Sequence, residues 1–122
     1  MDATISLEEL QRYIEEKKDY VLIDVRNEDE LAHGMIPTAK HLPLPELQEA
    51  FHLDADDFKE RYGFEKMKLE DDIIFYCRTG ARSHMAMQMI QALGYHARNY
   101  QGSIWEWSQI DPEVHRYGPS PE

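Results

Sequence analysis

Two short apolar runs constrain the fold of this chain more than any other feature of its sequence. Residues 20–25, interrupted only by Asp24, and residues 73–76 are apolar and rich in β-branched or aromatic side chains. Continuous rather than alternating hydrophobicity is typical of strands that are buried on both faces of a parallel sheet. Around these runs the apolar residues recur at helical spacing. The pattern predicts an α/β fold in which helices cover both faces of a central sheet.

The other predicted elements are shorter and complete a sheet of five mostly parallel strands. Three further strands are expected at residues 4–5, 40–42 and 97–100. Helices are expected at residues 6–18, 27–33, 43–51, 54–62, 83–93 and 102–106. Ser6 with Glu9, and Ser103 with Glu106, have the spacing of capping boxes that start helices. We expect one domain over residues 1–117 and a disordered tail over residues 118–122.

A cysteine follows directly after the second apolar run. Residues 77–83 read Cys-Arg-Thr-Gly-Ala-Arg-Ser, and Cys77 is the only cysteine of the chain. A loop between a strand and a helix directs backbone N–H groups and the positive end of the helix dipole into one space. These groups and the two arginines favour the thiolate, the nucleophilic form of cysteine. The motif predicts a nucleophilic Cys77 facing an anionic substrate, and the alternative is a buried structural thiol.

The candidate site extends over the whole loop and the end of the neighbouring strand. Besides the nucleophile, the loop offers the anion-binding candidates Arg78, Thr79, Gly80, Ala81, Arg82 and Ser83. Asp24 and Arg26 are expected to support the loop, because carboxyl ends of parallel strands meet at one edge of a sheet. We expect Arg78 to contact the substrate and Arg82 to brace the loop. An ion pair with Glu30 is the alternative use of Arg26.

Charge and composition argue against several classes of partner. The chain carries 13 basic and 24 acidic side chains, a net charge of −11, which disfavours binding to nucleic acid and to anionic membranes. It has no apolar run of membrane-spanning length and no visible signal or transit peptide. We expect a cytoplasmic protein, or a mitochondrial one if a transit peptide has been removed. The six histidines show no metal-ligand spacing, so neither a metal nor another cofactor is predicted.

The order of these motifs resembles that of the single-domain rhodanese, or thiosulfate sulfurtransferase, family over nearly the whole chain. The matching segments are residues 22–26 (Leu-Ile-Asp-Val-Arg), 34–39 (Gly-Met-Ile-Pro-Thr-Ala), 77–83, 93–95, 100–103 and Trp107. The chain departs from the family pattern at Met35, at Thr38 and at Ser103, which replaces the second glycine of a Gly-Gly pair. Residues 54–68 and 102–107 are most similar to the small eukaryotic members proposed to pass sulfur to glutathione.

The resemblance implies a three-layer rhodanese-like fold and a two-step transfer of sulfur through Cys77. The thiolate would attack the outer sulfur of thiosulfate, sulfite would leave, and the resulting persulfide would pass its sulfur to a thiophilic acceptor. The implied partners are a small anionic sulfur donor and a thiol or cyanide acceptor. Glutathione, thioredoxin or another thiol protein could serve as the thiol. No cofactor is implied.

Two other functions share parts of the motif. Cysteine phosphatases also surround an anion with a cysteine, backbone N–H groups and an arginine, but they place five residues between the cysteine and the arginine. Four residues separate Cys77 from Arg82, which favours a pocket sized for a single sulfur atom. The second alternative is a non-catalytic rhodanese-like docking module. Such modules usually lack the cysteine or the basic loop, and this chain has both.

Overall fold

The computed structural model describes residues 3–117, and one parallel sheet lies at their centre. Its strand order is β2-β1-β3-β4, with β1 at Val21–Asp24, β2 at Lys40–His41, β3 at Ile73–Tyr76 and β4 at Ala97–Asn99. The α-helices are α1 (Leu7–Glu15), α2 (Leu47–His52), α3 (Ala55–Tyr62), α4 (Ala81–Gln91) and α5 (Ser103–Trp107). Two 3₁₀ helices span Glu28–His33 and Leu44–Glu46. The predicted α/β class is confirmed, and the predicted tail at residues 118–122 lies outside the described residues.

The sheet separates two apolar clusters, one on each face. Successive strand residues point to opposite faces. Ile23 and Phe75 belong to the cluster that includes residues of α2, α3 and α4, whereas Leu22 and Ile74 belong to the cluster that includes residues of α1 and α5. All four side chains are at most 1% exposed. Burial on both faces explains why the strands lack an alternating pattern, and it produces the three layers expected from the sequence.

The predicted first strand is reduced to a single bridge. Thr4 pairs in parallel with Asn99, and the N–H of Ile5 donates to the Asn99 carbonyl at 3.1 Å. Ser6 then starts α1, where its hydroxyl accepts from the N–H of Glu9 at 3.1 Å and the Glu9 carboxylate accepts from the Ser6 N–H at 3.2 Å. This confirms the capping box at Ser6. Because the helix begins so early, the described sheet has four strands and one bridge instead of five strands.

The sheet brings the two predicted site segments to one edge. Asp24 is the register partner of Tyr76, so the chain leaves β1 and β3 at the same level. The N–H of Val25 extends the pairing by donating to the Tyr76 carbonyl at 3.0 Å. The helix after Cys77 starts at Ala81, two residues earlier than predicted, and this places Arg82 in its first turn. Among residues 3–117, no helix is both long and apolar enough to cross a membrane.

Candidate active site

The Cys77 sulfur lies inside the loop that joins β3 to α4. The residue is 1% exposed, and its Sγ accepts a hydrogen bond from the N–H of Gly80 at 3.1 Å. The hydroxyl of Ser83 donates to the same sulfur at 3.4 Å. On the other side, the Cys77 N–H donates to Oγ of Ser103 at 3.1 Å. The structure therefore holds both the backbone and the side chain of the predicted nucleophile.

The loop stabilises the anionic form of this sulfur. Burial raises the pKa of the Cys77 thiol, but hydrogen bonds from the Ser83 hydroxyl and from the N–H groups of Ser83, Gly80 and Thr79 lower it by more. The net result is a pKa below the ordinary value for cysteine. Hydrogen bonds to the charged form are the expected cause of such a shift. The loop donors therefore favour the thiolate form of the buried sulfur.

Gly80 shapes the loop through its backbone conformation. Its φ of +102° lies in the region that favours glycine, and it is the residue before the first turn of α4. A Cβ at this position would lie 2.5 Å from the carbonyl oxygen of Gln101, closer than real atoms approach. The Gly80 carbonyl accepts from Nδ2 of Asn99 at 3.2 Å. It lies 3.2 Å from Oγ of Ser83 and shares the single Ser83 hydroxyl proton with the Cys77 sulfur. These bonds hold the loop against α4 and β4.

Arg82 forms a bidentate ion pair with Glu30. Its Nη1 and Nη2 donate to the two carboxylate oxygens at 2.6 and 2.8 Å, and both side chains are partly buried. The hydrogen bonds from Arg82 lower the pKa of Glu30 to about 2. The ion pair between Arg26 and the Glu30 carboxylate, the alternative considered from the sequence, is not formed, because Arg26 pairs with Asp24. Glu30 is the third residue of the 3₁₀ helix, and its carboxylate also accepts from the Asn27 N–H at 3.0 Å. This capping position was the local signal for an ordered Glu30 side chain.

The Asp24 and Arg26 side chains form a fully buried pair behind the loop. Nη2 of Arg26 lies 2.7 Å from Oδ2 of Asp24, and both side chains are 0% exposed. Burial lowers the pKa of Arg26, but the hydrogen bonds and charge of Asp24 more than compensate, so the pKa is raised overall. Arg26 also donates to the backbone carbonyls of Glu30 at 3.2 Å and Gly34 at 2.8 Å. The pair thus fixes the segment from which Glu30 reaches Arg82.

Arg78 differs from Arg82 because its guanidinium is exposed. No carboxylate within the described part of the chain pairs with it, and its Cζ lies 5.0 Å from the ring centroid of Tyr117. The Tyr117 ring stacks on His33 at 4.5 Å, and its hydroxyl accepts from Nη1 of Arg26 at 3.1 Å. Arg78 is therefore the loop cation available to an incoming anion. Sequence analysis missed Tyr117, which has no motif and reaches the site only through tertiary contacts.

The predicted capping box at Ser103 is not formed. The Ser103 side chain does not cap α5, because the helix has Gly102 at its N-cap and the N–H of Glu106 donates to the Gly102 carbonyl. The Ser103 hydroxyl instead accepts from Cys77 and donates to the Tyr100 carbonyl at 2.9 Å. Its φ is +55°, in the left-handed region, at a position where the rhodanese pattern that the sequence resembles has glycine.

Comparison with known proteins gives the family. The model of the rhodanese-like domain matches residues 6–110. The chain belongs to the rhodanese-like domain family. The human protein named thiosulfate:glutathione sulfurtransferase is 41% identical over 106 residues, which cover 85% of this chain and 91% of the human one.

Two further rhodanese-like relatives agree with this assignment. The putative mitochondrial thiosulfate sulfurtransferase of Schizosaccharomyces pombe is 45% identical over 92 residues, covering 75% of this chain. The match spans 65% of the length of that protein. The solved structure of the human single-domain sulfurtransferase TSTD1 has a TM-score of 0.86 and 38% sequence identity, and the match covers 91% of this chain and 99% of that one. The predicted family and its fold are confirmed.

The rhodanese-like loop is suited to holding one anionic sulfur atom. Its donors are backbone N–H groups and one hydroxyl, all from residues that the motif placed in the loop. Within residues 3–117, no group of three or more His, Cys, Asp or Glu side chains could hold a metal ion. The hydrogen-bond donors around Sγ suit stabilisation of negative charge on sulfur, the property that a nucleophilic cysteine needs.

Proposed function

We propose that this protein is a thiosulfate sulfurtransferase that carries the transferred sulfur on Cys77. The observation behind the proposal is the position of Sγ, which is buried and accepts hydrogen bonds from Gly80 at 3.1 Å and Ser83 at 3.4 Å. Such donors stabilise charge on sulfur as an oxyanion hole stabilises charge on oxygen. The names of the human and S. pombe relatives support the same chemistry.

The proposed reaction needs only the donor, the acceptor and one thiolate. In the first step the Cys77 thiolate attacks the outer sulfur of thiosulfate, a new S–S bond forms, and the S–S bond of thiosulfate breaks. Sulfite leaves with the bonding electron pair. In the second step an acceptor thiolate attacks the outer sulfur of the Cys77 persulfide and regenerates the Cys77 thiolate. Because each step exchanges one S–S bond for another, no external oxidant or reductant takes part.

The two loop arginines have separate proposed roles. Arg78 is exposed and lacks a carboxylate partner among residues 3–117, so we assign it to the sulfonate-like oxygens of thiosulfate. Arg82 is occupied by Glu30 at 2.6 and 2.8 Å, and we assign it to bracing the loop. Asp24 and Arg26 support Glu30 from behind, since Arg26 donates to the Glu30 carbonyl.

We further propose glutathione as the thiol acceptor. Relatives from Homo sapiens and Saccharomyces cerevisiae are both named thiosulfate:glutathione sulfurtransferase, at 41% and 31% identity. A low-molecular-weight thiol also suits a buried sulfur atom, since Cys77 is 1% exposed. Cyanide, thioredoxin and other protein thiols are the acceptors against which glutathione should be compared.

The location of the protein is a separate proposal. The S. pombe relative is named as mitochondrial and supports the mitochondrion, and the cytoplasm is the alternative expected from the sequence. Microscopy of the full-length protein, tagged so that its first residues stay free, separates these two compartments.

Mass spectrometry of the intact protein tests the persulfide directly. The reduced protein, incubated with thiosulfate and desalted, should gain the mass of one sulfur atom and lose it again on treatment with dithiothreitol. Cys77→Ser should fold and show no gain. A folded, reduced protein that acquires no sulfur would favour the docking-module alternative.

Two further assays complete the test of function. The sulfur-loaded protein should transfer its sulfur atom to glutathione faster than to cyanide or thioredoxin when the acceptors are present at equal concentration. Incubation with p-nitrophenyl phosphate should give no turnover, because the four-residue spacing leaves no room for phosphate. Sustained phosphate release that depends on Cys77 would instead identify a phosphatase.

A further inference from the structure

A cavity lies at the opposite end of the sheet from Cys77. It has a volume of about 650 Å³ and is lined by Val21 and Leu22, at the start of β1, and by residues next to the C-terminal ends of α1 and α3. Cys77 follows the carboxyl end of β3, and no residue of the loop 77–83 lines this cavity. The volume lies in the range typical of pockets for small molecules. The cavity is therefore distinct from the sulfur-transfer site.

Lysine side chains are concentrated around this cavity, although the protein as a whole is strongly acidic. Of the six lysines in the chain, four line it: Lys17, Lys18, Lys40 and Lys59. Glu65 is the only acidic residue of its lining, although acidic side chains outnumber basic ones by 24 to 13 over the whole chain. The local charge is thus opposite to the net charge of −11. A cationic cavity in an anionic protein favours an anionic ligand.

Two of these lysines have no carboxylate partner in the described part of the chain. Lys18 pairs with Glu16 at 3.3 Å and Lys59 pairs with Glu65 at 3.0 Å, whereas Lys17 and Lys40 form no salt bridge within residues 3–117. A position at a helix C-terminus would by itself account for Lys17, Lys18 and Lys59, because cations there complement the helix dipole. It does not account for Lys40, which lies on the edge strand β2.

The wall between the lysines is apolar. Leu22 is 1% exposed, and Ile14, Val21 and Phe64 are partly buried against the two core clusters. These side chains offer a hydrophobic surface beside the cationic groups. The combination matches a ligand that carries an apolar body and an acidic group, rather than a small inorganic anion.

We propose that this cavity binds an amphipathic organic anion, with the acidic group held by Lys17 and Lys40 and the apolar body against Ile14, Val21 and Phe64. The assignment is independent of the sulfur-transfer reaction. It gives the protein a second ligand site at the amino end of the sheet.

Fluorescence titration with 8-anilinonaphthalene-1-sulfonate tests the proposal, because this dye joins an apolar body to a sulfonate. We expect saturable binding to one site per chain, and competition by decanoate. Lys17→Gln/Lys40→Gln should raise the dissociation constant about tenfold. The neutral dye N-phenyl-1-naphthylamine, which lacks the sulfonate, should bind more weakly than the sulfonate and should not distinguish the variant from the wild type.

A matched control removes the same charge elsewhere. Arg12→Gln/Lys68→Gln lowers the net charge equally at two exposed positions outside the cavity and should leave the dissociation constant within about twofold. Lys40→Gln alone replaces the double variant if thermal melting shows that the double variant is unfolded. Equal weakening in the cavity and control variants, equally tight binding of both dyes, or displacement of the sulfonate dye by thiosulfate would each overturn the proposal.

Discussion

The hydroxyl oxygen of Ser103 accepts a hydrogen bond from the backbone nitrogen of Cys77 at 3.1 Å, although 26 positions separate the two residues. Ser103 holds this contact at a φ of +55°, a conformation that residues with a Cβ rarely adopt. The N–H groups of the next two residues, Ile104 and Trp105, donate to the carbonyls of Cys77 and Arg78 at 3.1 and 3.0 Å. Three consecutive residues at the start of α5 are therefore hydrogen-bonded to the backbone of Cys77 and Arg78.

Removing the Ser103 hydroxyl should destabilise the protein. We expect Ser103→Ala to lower the free energy of unfolding by about 1–3 kcal/mol, because the buried N–H of Cys77 loses its acceptor. Ser103→Gly loses the same bond but relieves the strained φ, so it should be more stable than the alanine variant by about 1 kcal/mol. Urea unfolding measures both values. Two variants as stable as the wild type would show that the contact contributes nothing.

A side chain at position 80 should distort the loop that surrounds the Cys77 sulfur. Gly80→Ala places a Cβ 2.5 Å from the Gln101 carbonyl at a φ of +102°, so we expect loss of sulfur loading and a destabilisation of about 1–2 kcal/mol or more. Gly63→Ala is a matched control, since its φ is +80° but nothing lies within 4 Å of its Cβ. The control should lose stability but keep normal sulfur loading in the mass assay. Equal loading by both variants would contradict the packing argument.

Alkylation of Cys77 should reveal a lowered pKa. The rate of reaction with iodoacetamide follows the thiolate fraction, so its midpoint should lie below the value of about 8.5 for free cysteine. Ser83→Ala removes a hydroxyl 3.4 Å from the sulfur and should move the midpoint to higher pH. The same titration in concentrated urea, where the loop is absent, provides the reference. A midpoint that does not change between folded and unfolded protein would rule out the stabilised thiolate.

The ion pair of Glu30 and Arg82 should make stability depend on pH in the acid range. Because folding lowers the pKa of Glu30 from an ordinary 4.5 to about 2, its contribution is complete above pH 4.5 and is lost as the pH falls toward 2. At neutral pH, Glu30→Gln should cost about 2–3 kcal/mol, and the difference from the wild type should shrink as the pH falls through this window. Glu28→Gln, on the same 3₁₀ helix and exposed, controls for the change in charge. A difference from the wild type that does not vary with pH would contradict the assignment.

Substitutions at Arg78 and Arg116 should distinguish direct contact with the substrate from the effect of removing one positive charge. Arg78→Gln is expected to raise KM for thiosulfate by about tenfold without changing the melting temperature, because the exposed guanidinium forms no salt bridge in the described structure. Arg116→Gln removes an equally exposed cation that contacts Gln109, and KM should stay unchanged. Identical kinetic effects in the two variants would indicate long-range electrostatics instead of contact.

Local patterns were sufficient to predict the central strands of the sheet and the loop that surrounds the Cys77 sulfur. Apolar runs identify β1 and β3 because burial on both faces leaves no alternation. Capping chemistry identifies the start of α1 because Ser6 and Glu9 are only three residues apart. The cysteine loop is also local, since its donors Gly80 and Ser83 lie within six residues of Cys77.

The partners of the site depend on tertiary structure and could not be predicted in the same way. Glu30 lies 52 positions from Arg82, and its local spacing connects it to Arg26 and Asn27 but not to Arg82. The Ser103 hydroxyl matched a capping box, but the left-handed backbone turned it toward Cys77 instead of Glu106. In both cases a contact between residues distant in sequence replaced the partner that the local sequence pattern had indicated.

The hydroxyl of Tyr117 accepts from the fully buried guanidinium of Arg26 at 3.1 Å, yet the family match ends at residue 110. A chain cut at the end of that match would leave Nη1 of Arg26 with the Glu30 carbonyl as its one remaining acceptor and would open the pair to water. It would also remove the Tyr117 ring, which stacks on His33 and contacts the Arg78 guanidinium. We therefore expect the folding unit to extend beyond residue 110, and a truncation or fusion should keep every residue through Tyr117.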